Sequence, residues 1–252
     1  MWRGRDRGRG IEGPTSTPDV PTRGIVWDPG RIDLGRIRQS TVGSATARFR
    51  AAAADFVWNA AAMEGNTHTP PEVRTLLDGV AAEGGRPDER RQILALRDAF
   101  NLVAERVRDG SFRLGKAASD AAHASVARHE AIESGAFRGE GAVNGGGHVR
   151  LSHGGVHTAP QADLPGLYGA MLARLGSLLD PREAALAYFA AATHGQFYFD
   201  GNKRTARLMM CGHLLAHASD AIDIPYSRMS EFDRLFDTDD GTELMVFAAD
   251  CA

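Results

Sequence analysis

Only two cysteines occur in the 252 residues, Cys211 within an apolar helical stripe and Cys251 next to the last position. A disulfide framework is thereby excluded, and Cys211 reads as core filler rather than a nucleophile. Long apolar runs are also missing. The longest obvious one, Ala184 to Ala192, falls well short of the ~20 residues that a bilayer crossing needs, and no signal-peptide core is present. A cytoplasmic protein with no membrane partner is the expectation. Metal-ligand spacing is absent too. His213 and His217 stand four apart, but no Glu follows His213 and no third ligand is apparent, so no transition-metal site is assigned. No internal repeat is found.

What charge there is lies unevenly. The net charge is -3, yet residues 1–40 carry eight Arg against five acids, which leaves about -6 on the remainder. The Arg-Gly opening from Met1 to Gly10 is compatible with contact to RNA or to an acidic surface. The Gly, Pro, Ser and Thr that continue to about Arg23 cannot bury enough surface to order themselves, which favours a disordered leader over a nucleic-acid arm. The expected organisation is a leader over 1–43 and one domain over 44–252, large enough for a single core.

Helical periodicity dominates from about Ser44. Phe49, Phe56 and Met63, with Ala53 and Ala60, make one stripe; Ile93, Leu96, Phe100, Val103 and Val107 make another. A third, Ala-rich segment runs roughly from Lys116 to Ile132. Residues 136–160 differ, holding seven Gly and short β-like pieces around Ser152-His153-Gly154-Gly155, the pattern of a hairpin. Helices resume at Pro165, with Leu167, Met171, Leu175 and Leu178 on the inner face, and two more are expected around Glu231 to Phe236 and Glu243 to Ala249. The fold class is mainly α, with one β-hairpin.

One stretch carries chemistry: Asp200-Gly201-Asn202-Lys203-Arg204-Thr205-Ala206-Arg207. Leu208, Cys211 and Leu215 follow it at helical spacing, so Arg204 and Arg207 lie in the first turn of a helix. Helix starts attract anions, not cations. Two guanidiniums there, behind a Gly that permits tight turning and an Asn that can cap, make sense if a polyphosphate lies across the helix N-terminus. Asp200 could then hold a divalent metal, since carboxylate plus phosphate is the usual way Mg²⁺ is bound. Lys203 is either a phosphate contact or a solubilising surface charge. The aromatic run Phe197, Tyr198 and Phe199 either packs to fix the loop, the reading preferred, or stacks on a base.

These residues resemble the signature of the Fic family, His-Pro-Phe-x-Asp/Glu-Gly-Asn-Gly/Lys-Arg-x-x-Arg, whose best-known members transfer AMP from ATP to protein hydroxyls. The Lys203 variant is similar to the Doc branch of that superfamily. Counting back from Asp200, the position of the family's catalytic histidine is Gln196, whose amide cannot accept a proton as imidazole does; the motif thus spans 196–207. His194 lies two residues too early and should point elsewhere. The resemblance implies a Fic-like helical bundle with a flap at about 136–160, on which a protein target would dock as an added strand, preceded by Gly135-Ala136-Phe137-Arg138. It also implies an inhibitory helix at about 45–64, in which Glu64 of Ala60-Ala61-Ala62-Met63-Glu64-Gly65-Asn66 would pair with Arg207 and disturb the γ-phosphate. Ala60 replaces the pattern's Ser/Thr.

On this resemblance Gln196, Asp200 and Arg204 stand in the catalytic positions. Gly201, Asn202, Lys203, Arg204 and Arg207 stand in the nucleotide-binding ones, Asp200 at the metal and Glu64 in the regulatory place. ATP or another nucleoside triphosphate with Mg²⁺ is the implied ligand. Three activities remain open: an adenylyl transferase of non-standard active site acting on a protein hydroxyl, a catalytically silent binding module, and a transferase or lyase acting on a small metabolite. The oligomeric state is not legible.

Overall fold

The centre of the molecule is a helix with almost no polar side. Asp180 caps it by accepting the Arg182 amide at 2.9 Å, Pro181 opens it, and Ala184 to Ala192 are all buried. In the computed structural model, which describes residues 26–80, 86–143, 149–150, 156–157, 164–235 and 240–252, this helix is α7 (Pro181–Gly195). Before it come α1 (Val42–Ala51), α2 (Ala53–Ala62), α3 (Pro70–Leu77), α4 (Pro87–Arg108), α5 (Lys116–Val126) and α6 (Leu164–Leu175). After it come α8 (Asn202–Ala216), α9 (Met229–Arg234) and α10 (Thr242–Ala249). Helix α8 packs on α7, α5 and α4, and α10 also packs on α7.

Local signals explain most of these helices. In α4, Pro87 stands at the start, Asp88 and Glu89 complement the N-terminal dipole, and Arg106 and Arg108 the C-terminal one. Its stripe from Ile93 to Val107 is buried as the spacing predicts. Helix α3, which periodicity does not reveal, starts from a capping box: the Thr69 amide and hydroxyl both donate to Glu72 Oε2, at 2.7 and 2.8 Å. Gly212 lets α8 approach the 103–112 region, since a Cβ there would come within 2.3 Å of the Phe112 ring.

Three expectations need correction. Residues 26–41, assigned by composition to the leader, are packed: Trp27, Ile32 and Ile37 are buried, and Trp27 Nε1 donates to Glu183 at 2.9 Å. Two short 3₁₀ turns, Pro29–Arg31 and Leu34–Arg36, shape this strap. Apolar side chains spaced five residues apart carry neither helical nor strand periodicity, so the pattern hid them. The segment expected as one helix over 45–64 breaks at Ala52, whose ψ of 7° leaves the helical region between α1 and α2. Helix α5 ends at Val126 rather than near Ile132.

At the expected flap, Val149–Arg150 and Val156–His157 form a two-residue antiparallel pair, Val149 opposite His157 and Arg150 opposite Val156. The rest of residues 144–163, His153 included, lies outside the described residues, as does Phe236. No helix among the described residues is long and apolar enough to cross a membrane.

Candidate functional site

The loop from Gln196 to Gly201 joins α7 to α8 and is built from the inside. Gln196 ends α7 in the left-handed region, φ 45° and ψ 52°, a conformation unusual for a residue with a side chain. Three groups hold it there. Its backbone carbonyl accepts Arg138 Nε at 2.8 Å, its side-chain nitrogen donates to Thr193 O at 2.7 Å, and its side-chain oxygen accepts from Asn202 Nδ2 at 3.1 Å. Asn202 in turn accepts the Tyr198 amide at 2.9 Å and donates to the Tyr198 carbonyl at 2.8 Å. The Gln196 and Asn202 side chains therefore fasten the loop. Their amides are spent on one another and on the backbone, whereas the sequence placed Gln196 in a catalytic role and Asn202 on phosphate. The backbone N–H groups of the first α8 turn remain oriented as at any helix start.

Helix α5 supports the same loop from below. His123 Nδ1 accepts the Gly135 amide at 2.8 Å, so its Nε2 carries the proton and donates to the Asp200 carbonyl at 2.8 Å. Its ring stacks on Tyr198 with centroids 3.7 Å apart. Burial lowers the imidazole from 6.5 to about 4, keeping it neutral. Gly201, at φ 70°, rests on this helix; a Cβ there would approach Ala127 Cβ to 3.2 Å. Phe197 and Tyr198 pack against Phe137 and Tyr168, as the core-packing reading of the aromatic run expects.

Above the loop stands Arg204, only 2% exposed and ringed by acid. Its NH1 donates to both oxygens of Glu130, at 2.9 and 2.8 Å, and its NH2 to Asp200 Oδ1 at 3.1 Å. Glu64 Oε1 lies 3.5 Å from Nε, which has no hydrogen-bond acceptor among the described residues. Desolvation acts to lower the guanidinium's pKa, but the charges of Glu64, Glu130 and Asp200 outweigh it and hold it above the ordinary value. Asp200 keeps half of its side chain exposed. Glu64 and Glu130 line a cavity of about 250 Å³ together with Asn66, Glu89 and Gln92.

Other expected site residues lie apart. Arg207 is turned into the core, donating to Asp223 Oδ1 at 3.0 Å and to the Ile224 carbonyl at 2.9 Å, with Met63 sulfur at 3.2 Å. Glu64 thus faces Arg204 and not Arg207, because Asp223 and the end of α2 already cover the second arginine. Lys203 points toward α9, 3.7 Å from Asp233, away from Arg204's acids. His194 is buried within α7. Two contributors went unforeseen. His123 sits in an Ala-rich helix with no spacing signature, and Glu130 lies in a turn 74 residues from Arg204, beyond any local pattern. Arg138 was visible within Gly135-Ala136-Phe137-Arg138, though not its role on the Gln196 carbonyl.

No family model matches the chain. Over 231 residues it is 28% identical to the protein adenylyltransferase Fic of Drosophila willistoni, covering 87% of this chain and 45% of that relative, so it spans less than half of the relative's length. Among solved structures it resembles a Fic-domain-containing signaling protein from Bacteroides thetaiotaomicron, with a TM-score of 0.67 at 16% identity over 83% of this chain and 86% of that one. A Fic family protein from Desulfovibrio desulfuricans gives 0.64 at 20% identity, over 83% and 69%. A fragment of Fic-1 from C. elegans gives 0.65 at 16% identity, over 85% and 63%. The helical architecture is therefore the Fic fold. The Asp200–Arg207 stretch sits at the α7–α8 junction of that fold.

Proposed function

We propose that this protein binds a nucleoside triphosphate with Mg²⁺ at the start of α8 and uses it for adenylyl transfer to a protein hydroxyl. The observation that carries the binding is Arg204. A buried guanidinium at a helix N-terminus is unfavourable on its own, and among the described residues carboxylates compensate it, in the place where a polyphosphate would supply the same charge. The relative named as a protein adenylyltransferase supports the reaction class.

The half-exposed Asp200 fits a Mg²⁺ ion held by one carboxylate and by phosphate oxygens. Such an ion supplies charge neutralisation to the phosphates. The chain's own residues do the rest: the α8 N–H groups and Arg204 hold phosphate oxygens, and the Arg138, His123 and Asn202 contacts keep the loop rigid beneath them. In transfer, the acceptor oxygen bonds to the α-phosphorus, the bond to the β-phosphate oxygen breaks, pyrophosphate leaves, and the hydroxyl proton passes to solvent water, since the Gln196 amide cannot take it. Positioning and charge stabilisation supply most of such a rate. A general base adds about 10²–10⁴-fold.

A second reading, a binding module without transfer, is favoured by one observation: Gln196 stands at the base position and its amide is engaged twice within the loop. One experiment separates the two. Mg·ATP should raise the melting temperature of the wild type by mass action, and Arg204→Ala should abolish the shift. Labelled ATP in a cell lysate then yields labelled protein if transfer occurs, and binding without turnover if it does not. Label in a small molecule instead would point to metabolite chemistry at the same cradle. A wild-type melting temperature unmoved by millimolar Mg·ATP defeats both readings.

A further inference from the structure

The regulation of this site can be read further, on the footing that Arg204 is its phosphate-binding group. We propose that Glu130 is a second internal competitor for that guanidinium, so that two carboxylates from separate elements shut the site and must leave together. Glu64, in the turn just after α2, reaches only 3.5 Å from Arg204 Nε. Glu130, in the turn after α5, brings both oxygens to NH1 at 2.9 and 2.8 Å. Charge-assisted hydrogen bonds of that length are the stronger kind. Glu130 is therefore the tighter of the two stoppers, and removal of Glu64 alone leaves it in place.

The two carboxylates are also connected. Gln92 Nε2 donates to Glu130 Oε2 at 3.1 Å, and Gln92 Oε1 accepts from Asn66 Nδ2 at 2.8 Å. Asn66 additionally donates to the Glu89 carbonyl at 3.0 Å and lies two residues beyond Glu64. A run of hydrogen bonds, Asn66 to Gln92 to Glu130 to Arg204, thus ties the end of α2 to the guanidinium along one wall of the 250 Å³ cavity. Drawing the end of α2 outward parts Asn66 from Gln92 Oε1 and so removes the hydrogen bond that orients the amide donating to Glu130. A polyphosphate on NH1 must displace Glu130, and a carboxylate left beside it would face like charge.

Calorimetric titration of the whole chain with Mg·ATP tests this, on wild type, Glu64→Gln, Glu130→Gln, the double variant, Gln92→Met and Arg204→Ala, with the ligand-free melting temperature of each. Glu130→Gln should tighten binding about tenfold or more, the order of one charge-assisted bond that no longer has to be broken. Its gain should exceed that of Glu64→Gln, the double variant should gain further, and Gln92→Met should fall between wild type and Glu130→Gln. Glu130→Gln should meanwhile lower the ligand-free melting temperature; a residue with a merely structural role would move only that quantity. Unchanged or weaker affinity in Glu130→Gln, while wild type or Glu64→Gln binds, overturns the role of Glu130 and leaves the phosphate site standing. Binding in no variant, with Arg204→Ala indistinguishable from wild type, overturns the phosphate site and this inference with it. Should Glu130→Gln fail to fold, Gln92→Met decides: a gain in affinity supports the competition and no gain refutes it.

Discussion

At the scale of single residues, the loop depends on groups that must stay in one protonation state. His123 is neutral because burial depresses it and because its Nδ1 accepts the Gly135 amide while its Nε2 donates to Asp200. Its folded-state pKa of about 4 lies below the ordinary 6.5. The unfolded chain therefore takes up a proton first as pH falls. The stabilisation from this histidine is complete above about 6.5 and is lost between there and about 4, for a total on the order of 3 kcal/mol. His213, lowered to about 4 by burial and by His217, adds a term of the same sign. Urea unfolding from pH 7 to 4.5 should show stability falling with acid. His123→Gln keeps one donor and one acceptor without a titration in this range, so it should flatten the slope; an equal slope in both proteins would exclude His123 as its source.

The helices show what a sequence displays and what it conceals. Helices α4, α6 and α10 were legible because apolar residues recur at helical spacing, and α8 because a charged first turn precedes an apolar stripe. The place of Arg204 in the first turn of α8 was legible for the same reason, since motif and helix coincide in one short stretch. Its counter-charges were not. Glu64 came from a resemblance that paired it with Arg207, whereas Asp223 occupies Arg207 and leaves Glu64 to Arg204. Glu130 and His123 reach the loop only through tertiary packing of α5, which no local pattern encodes. The break at Ala52 likewise has no Pro or Gly to announce it. Close helix approach is a further hidden constraint. Gly212→Ala would set a Cβ 2.3 Å from the buried Phe112 ring and 2.9 Å from Val103 Cγ1. Despite the higher helix propensity of Ala, the overpacking should cost about 1–3 kcal/mol. A melting temperature equal to or above wild type would show that the ring yields freely.

For the whole molecule, the strap over residues 26–41 binds distant parts of the chain into one body. Trp27 donates to Glu183 in the first turn of α7, Arg174 of α6 lies 4.5 Å over its ring, the Asp28 amide donates to Thr242 of α10 at 2.8 Å, and the Ser40 amide donates to the Ala218 carbonyl at 2.7 Å. The Trp27 contact falls at the start of α7, while the candidate site sits at its end. Fifteen residues of helix place the two ends ~20 Å apart. Stability and binding should therefore separate. Trp27→Ala removes a buried indole and should cost about 3 kcal/mol, a fall of roughly 6–12 °C in melting temperature at ~2–4 °C per kcal/mol for a chain of this size. Sites this far apart without shared partners usually act additively. Below its own transition, Trp27→Ala should accordingly bind Mg·ATP with wild-type affinity, measured by calorimetry at a temperature where circular dichroism shows both proteins folded. A weakened affinity in the folded variant would mean that the strap and α7 transmit strain to the α7–α8 loop, making α7 a coupling element between the two ends and not a rigid spacer.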